Sequence, residues 1–456
     1  MNPNDDAAAP IPAPQPRDSG TPHILGDAPA IQRVVMGLFD FHTHVGPRSP
    51  NITMILRRGL GPATRVIHRF RGPLARSTIL NDTIHMFTTR TGTQRVDLIR
   101  SSLQENGVHS SAHLIGRISR GEMVRVRRGV YLPAQAWAEA PPWARYRIAI
   151  CAAAMTQDLI FCRDSALVLH GIPLLSTPPA IFARTANPGE AKTHAPPQMT
   201  GRVPLQQFLR RYSESHPEAA PLRTAHLSNF PTKRLEPARP KNISRPEHRA
   251  QLRSGTFSIP EVRLTSGALE AVAGPAQGYR AEPLGLAALD AASRMSFTEA
   301  VVVLDAVKAR DDAAPEPWLP YLGTKRQQAH WRRAWGFADA GAESALESES
   351  RVVLAQISCP APTLQKVVRT SIGDFRMDFC WERERVAGEV DGRAKYFEPQ
   401  YTNGADPAEV HYREKRRREA LEAEGWQLVR WGKAELRNRQ ELVKRLGRAG
   451  LRPIST

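Results

Sequence analysis

The sequence predicts an α+β protein of several domains, and three observations carry that expectation. The chain of 456 residues and 50.6 kDa exceeds one ordinary hydrophobic core, so roughly two to three domains are expected. Near residues 96–132 a helix-turn-helix pattern runs straight into a basic hairpin. Near residues 344–446 the periodicity reads helix, three strands, helix, strand, helix. A hydrophobic content of 41% suffices for globular cores, while 38 prolines and 31 glycines add long connections.

Charge narrows the class of partner. The 63 Lys and Arg against 45 Asp and Glu leave a formal charge of +18, and an excess of this size favours polyanions through counterion release. Double-stranded DNA is the expected partner, although basic tails alone give the same balance. The four cysteines, Cys151, Cys162, Cys359 and Cys380, form no CxxC pair, which argues against a zinc ribbon or a disulfide framework and for small buried hydrophobes in a reducing compartment. No apolar run has the length of a membrane span, and the start lacks a signal-peptide pattern, so a cytoplasmic protein with no membrane partner is expected.

Taken in order, residues 1–90 begin with Ala/Pro-rich sequence that buries too little apolar surface to offset ordering, and continue as basic, patternless sequence. They are expected to be disordered, or to lie upstream of a true start at Met86. Asp40, His42 and His44 spell a D-x-H-x-H metal motif, but nothing around them supplies the barrel such a motif needs, and it reads as a chance match. Val96, Leu98, Ile99 and Leu103 have helical spacing, Gly107 stops that helix, and Ser110 or Ser111 caps a second one bearing Leu114, Ile115 and Ile118. Residues 123–132 then alternate as a hairpin turning at Arg128-Gly129.

A short helical unit followed by a basic hairpin is a winged helix, expected over 91–134. Arg117 and Arg120 would flank the reading helix, with Arg125, Arg127 and Arg128 on the wing. Protein contacts are the competing use of such a unit. The stretch Ile118-Ser119-Arg120-Gly121-Glu122-Met123-Val124-Arg125-Val126-Arg127-Arg128-Gly129-Val130-Tyr131 resembles the N-terminal domain of AbiEi-family antitoxins of type IV toxin-antitoxin systems, found fused in many actinobacterial proteins. The resemblance implies sequence-specific DNA binding, autoregulation of an operon and a cognate toxin as a second partner. The α/β middle region, 135–232, is assigned to the same AbiEi-like unit.

In that region a helix is expected over 143–154, and His170, before a Gly-Ile-Pro turn, reads as a satisfied packing histidine. Residues 233–257 read as a basic linker or a phosphate-contacting loop. Residues 258–340 form a helical connecting region, with two helices over 284–309 whose apolar stripes look like core.

The last region, 341–450, carries the chemistry. Side chains alternate along a strand, so Glu389 and Asp391 share a face while Val390 packs, and a hairpin with residues 375–381 brings Asp378 within reach. Oxygen ligands of this kind suit a hard divalent cation, which a phosphodiesterase needs to activate a water. The element order is that of the α/β restriction-endonuclease-like PD-(D/E)xK core. Glu347-Ser348-Glu349-Ser350-Arg351, Asp378, Glu389-Val390-Asp391-Gly392-Arg393-Ala394-Lys395-Tyr396, Glu414-Lys415-x-Arg417 and residues 425–431 together resemble a DUF559 domain, a relative of the very-short-patch-repair (Vsr-like) endonucleases, over roughly the last quarter of the chain.

The resemblance implies Mg2+, with Mn2+ as a substitute, held by Asp378, Glu389 and Asp391, with Glu347 as the acid of the first helix and Lys395 as the lysine stabilising the scissile phosphate. Asp391 stands where the parent motif has its lysine, and Lys395 lies beyond Gly392. The competing reading is an inert ion-pair lattice of Glu389 and Asp391 with Arg385 and Arg393. Arg413, Arg416 and Arg417 read as a phosphate-facing surface on a basic helix.

Overall fold

The computed structural model describes residues 87–89, 92–94, 98–102, 110–237, 259–265, 268–269, 272, 274–310, 313–390 and 407–452, all within the compact unit Leu80–Thr456. It is mixed α and β with several sheets, as the sequence predicts. Strands β1 (Phe87–Thr89) and β2 (Gly92–Gln94) pair antiparallel. Strand β3 (Ile99–Arg100) is followed by helix α1 (Ser111–Ser119), β4 (Met123–Arg127) and β5 (Val130–Pro133), and the three strands form one sheet in the order β3-β5-β4. Gly129 makes the tight β4–β5 turn at φ +79°, a conformation that costs glycine nothing.

The expected helix through Val96, Leu98 and Ile99 is overturned at Ile99. Its backbone pairs with Tyr131 of β5 while Leu98 is fully buried, so a distant strand decides the local conformation. The second helix and the hairpin stand where periodicity puts them, and α1 buries Leu114 and Ile118. Ser110 occupies the cap position of α1, but its hydroxyl instead accepts from the Ser102 N–H at 3.0 Å.

The middle of the chain builds a six-stranded mixed sheet flanked by helices. Its elements are α2 (Ala134–Glu139), α3 (Pro142–Thr156), β6 (Ile160–Phe161), α4 (Arg163–Leu169), β7 (Ala180–Thr185), β8 (Thr193–His194), α5 (Leu205–Ser215), α6 (Thr224–Ser228), β9 (Thr232–Pro237), β10 (Val262–Leu264) and β11 (Tyr279–Ala281). The strand order is β10-β11-β6-β7-β9-β8, with β11 parallel to β6 and β7 parallel to β9. Residues 233–237, expected to begin a basic linker, are therefore strand, and Lys233 is only 7% exposed.

Helices α7 (Leu284–Ala292), α8 (Phe297–Lys308) and α9 (Lys325–Phe337) follow. The first two are the expected pair, and Ser296 and Glu299 close a reciprocal capping box on α8. One hydrophobic core runs from Leu98 and Val124 through Ile150 and Leu167 to Val301 and Leu304, so the N-terminal hairpin, the sheet and these helices pack as one body.

The last region is α10 (Ala345–Gln356), β12 (Thr363–Thr370), β13 (Gly373–Trp381), β14 (Val386–Val390), α11 (Pro407–Ala423), β15 (Gln427–Trp431), α12 (Lys433–Arg437) and α13 (Arg439–Arg448). The sheet runs β12-β13-β14-β15, antiparallel except that β15 lies parallel to β14 after the α11 crossover. One face, through Phe379, Trp381, Val390 and Trp431, meets α10, α12 and α13. The other, through Met377, Cys380 and Ala387, meets Leu421 of α11 and Trp426. The single helix expected after the last strand is instead two, α12 and α13, broken at Asn438, whose side chain caps the Glu441 N–H at 3.3 Å.

Candidate functional site

Strands β13 and β14 pair only from Phe379↔Gly388 to Trp381↔Val386. Beyond that register they part, and the Val390 N–H donates to Asp378 Oδ2 at 2.9 Å. The parting is visible in the packing: Phe379 and Trp381 enter one core, Met377 and Cys380 the other, so strict alternation breaks at Asp378. Asp378 thus sits at a splayed strand end with Glu389 on the facing strand. Val390 packs in the core as expected, which turns Glu389 to the opposite face.

Glu389 is held by two arginines. Arg430 lies directly opposite it in the parallel β14–β15 pairing, and its Nε donates to Glu389 Oε2 at 2.9 Å. Arg417 of α11 donates to the other carboxylate oxygen, and Arg430 also donates to Glu414, closing a network of two acids and two guanidiniums. Burial pushes the Glu389 carboxyl above its ordinary range, Arg417 and Arg430 pull it back, and the like charge of Asp378 adds to the rise.

Glu347, 8% exposed, enters from α10 as the third residue of a capping pair. Its carboxylate accepts from Ser344 Oγ at 2.7 Å, and from the Glu343 N–H and Gln365 Nε2 at 2.9 Å each. Burial raises the Glu347 carboxyl, and Asp378 again contributes a like charge. Gln365 reaches Glu347 from a left-handed backbone, φ +52°, a strained position for a non-glycine residue inside a strand. Asp378 therefore lies in the electrostatic field of both Glu347 and Glu389.

Asp391 and Lys395, with Arg393, lie outside the described residues, as does the motif at residues 40–44. Arg385, expected in a lattice with Glu389, instead stacks over Trp426 at 5.4 Å. Arg417, expected on a phosphate-facing surface, turns toward the sheet, where it faces Glu389 and stacks over Phe375 at 5.2 Å. Arg413 pairs with Glu409 at 2.9 Å, and Arg416 covers Tyr412 at 5.9 Å, both on the outer face of α11. Sequence reasoning assigned no site role to Arg430 or Glu414. The signal for Arg430 is a charge midway along the apolar strand Gln427–Trp431, which needs a partner to be tolerated there.

At the N-terminal unit, Arg117 and Arg120 both donate to the carboxylate of Glu122, the former at 2.9 Å. These bonds hold the Glu122 carboxyl below its ordinary range. The end of α1 is clamped on α5, where Ser215 Oγ donates to the Arg120 carbonyl at 2.9 Å, and at Gly121, φ +78°, a Cβ would lie 2.5 Å from Tyr212 N. Arg125 and Arg127 turn inward, and Arg127 stacks over Phe230 at 5.2 Å. Arg128, at the hairpin tip, is the exposed arginine of the expected wing.

Elsewhere, His170 is the satisfied packing residue expected, its Nε2 donating to the Glu282 carbonyl at 2.8 Å. A cavity of about 750 Å³ opens in the middle region beside Arg184, Glu282, Asp290, Arg294 and Tyr321, away from the acidic site. Arg184 bridges Glu282 at 2.6 Å and Asp290 at 2.7 Å, a buried polar cluster that periodicity could not reveal.

Asp378 and Glu389 suit a hard cation by donor type, being carboxylates that share one field. Among the described residues no group of three His, Cys, Asp or Glu side chains is arranged to hold a metal ion. No described helix is long and apolar enough to cross a membrane.

No family model and no solved structure matches the chain. Two uncharacterized proteins of Mycobacterium tuberculosis, from strains CDC 1551 / Oshkosh and ATCC 25618 / H37Rv, are each 37% identical over 94 residues, 20% of this chain. The chain spans 31% of the length of each relative.

Proposed function

We propose that this is a DNA-binding protein whose C-terminal sheet hydrolyses phosphodiester bonds with the help of Mg2+ or Mn2+. The observation that carries the reading is the meeting of Glu347, Asp378 and Glu389, from a helix and two strands, in one electrostatic field where β13 and β14 part. Glu347 and Glu389, whose charged forms are disfavoured first by burial and then by the charge of Asp378, carry the signature of a site rather than of a solvated face. The resemblance to DUF559 and Vsr-like domains gives the same reading, and the AbiEi-like N-terminal unit would position the chain on duplex DNA.

Asp378 and Glu389 would hold the cation, joined by Asp391. When bound, it supplies a polarised phosphoryl oxygen and a water of lowered pKa. The rest falls to the chain. Arg430 fixes the Glu389 carboxylate in place, at 2.9 Å. Arg417, beside it on α11, brings guanidinium donors to the position where a phosphate oxygen gains charge. Lys395 is the further candidate for that charge. Glu347 orients the approach of β12 by holding Gln365 at 2.9 Å.

One observation favours a second reading, a non-catalytic antitoxin-like regulator of a type IV toxin-antitoxin operon whose nuclease-like sheet only grips DNA. Glu389 is already neutralised by two arginines. A supercoiled plasmid incubated with the full chain and Mg2+ or Mn2+ separates the two. The enzyme reading expects nicking that chelator stops and that Asp378→Ala reduces at least about a hundredfold. Equal nicking by the variant, or none by the parent, leaves the regulator, for which an adjacent toxin gene is the corroborating observation.

A further inference from the structure

Two cations and a histidine, from three strands, lie near one another: Arg127 of β4, Lys233 of β9 and His194 of β8. His194 on the edge strand β8 stands directly opposite Lys233 on β9, a like-charge pairing that a sheet disfavours whenever the histidine is protonated. Lys233 is 7% exposed, and its ammonium donates to Gln157 Oε1 at 2.6 Å, which leaves two of its protons for other acceptors. Arg127 reaches in from β4, its guanidinium laid on the Phe230 ring at 5.2 Å.

Arg127 Nε and Nη2 and His194 Nε2 are fully buried, and none has a hydrogen-bond partner among the described residues. Burial draws the Arg127 guanidinium down to about 10, and burial first, then the charges of Lys233, Lys192 and Arg127, push the His194 ring down. Glu190 is the acid that His194 and Lys233 feel, and one of its oxygens already accepts from Thr185 Oγ1 at 3.1 Å. Buried guanidinium donors left without acceptors carry a desolvation cost that a bonded group avoids. The arrangement is complete only with a negatively charged, many-oxygened acceptor among them.

We propose that Arg127, His194 and Lys233 form a binding site for a phosphate-type oxyanion at this seam. Two sources share that chemistry: a backbone phosphate of duplex DNA lying along the hairpin, and free inorganic phosphate. The site is separate from the acidic sheet end and needs neither cation nor cleavage.

Thermal unfolding of the full chain at constant ionic strength tests it, with chloride replaced stepwise by inorganic phosphate and, in a second arm, with a short duplex added. Wild-type protein is expected to gain stability saturably in at least one arm, and Arg127→Gln to weaken that anion at least about tenfold. His194→Gln, a milder change that keeps the hairpin packing, is expected to weaken it severalfold. A response to free phosphate assigns a small-anion site, and a response to duplex alone assigns the DNA backbone; both support the proposal. No saturable response in either arm, or responses identical in wild type and both variants, overturns it. Because the readout is anion-linked stability, the proposal can fail while the nuclease reading stands, and the reverse.

Discussion

Glu347 shows how one residue serves structure and site together. Its carboxylate completes the cap of α10 and also holds Gln365, so part of its bonding is spent on order. Burial nonetheless lifts it above its ordinary value of 4.5. An acid raised in the folded state keeps a proton that the unfolded chain has released. Its contribution to stability is thus full below 4.5 and is lost as pH climbs through the raised value. Glu347→Gln leaves the Ser344 cap on its own N–H in place, keeps one side-chain oxygen as acceptor, and removes the titration. Urea midpoints measured from pH 4 to 7 are expected to fall less steeply for the variant than for wild type, and parallel slopes would count against the assignment.

Residue identity made the acids legible in the sequence, but not their partners. Glu389 and Asp378 stood out as carboxylates at strand positions, while Arg417 looked like part of a phosphate-facing surface. Which face of α11 meets the sheet is set by Leu421 packing beside Met377 and Ala387, a tertiary fact that the low amphipathic contrast of this charged helix hides.

At the scale of elements, β13 was readable because Asp374 to Phe379 alternates polar and apolar, while β12, β14 and β15 were readable as short β-branched or apolar runs bounded by turns. The two-residue strand β3 was not, since its pairing with β5 depends on residues thirty positions away. The start of β9 was hidden for a related reason: Lys233 and Arg234 look like linker, yet one is buried beneath the edge strand.

Gly388 explains how β14 carries Glu389 past the core. A Cβ there would lie 2.5 Å from the Trp431 ring and 3.2 Å from Phe379 Cβ, so the tryptophan lies flat across the strand only because glycine leaves room. Trp431 is then anchored by its Nε1–H donating to Ser350 Oγ at 3.0 Å. Gly388→Ala is expected to destabilise by about 1–3 kcal/mol through overpacking, read as a lowered urea midpoint with quenching altered at Trp431. A neutral effect would mean that the ring moves freely and that β14 is not held in register by it.

For the whole molecule, α10 is the joint. Val352 packs into the large core while Val353 and Leu354 pack into the core of the last sheet. Arg351 donates to Asp305 at 2.7 Å and to the Phe337 carbonyl at 2.8 Å, tying that helix to α8 and α9. Asp305 also accepts the Asp339 N–H at 2.8 Å and is fully buried. Asp305→Ala strands the Arg351 charge, and a loss of about 3–5 kcal/mol is expected, with the unfolding of the last sheet separating from that of the rest. A single unshifted transition would show the joint to be held by apolar packing alone. Periodicity alone found the elements on both sides of this joint, but a shared helix is a statement about three-dimensional contact and had no local signal.

The proposed cation site is Asp378 and Glu389 at the parted end of β13 and β14. Binding of Mn2+ followed by electron paramagnetic resonance tests it most directly, on the full chain and on Asp378→Asn and Glu414→Gln. One saturable Mn2+ per chain is expected in wild type, lost in Asp378→Asn and retained in Glu414→Gln. Saturable binding that survives Asp378→Asn, or none in wild type, would contradict it and leave the acids as an ion-pair lattice.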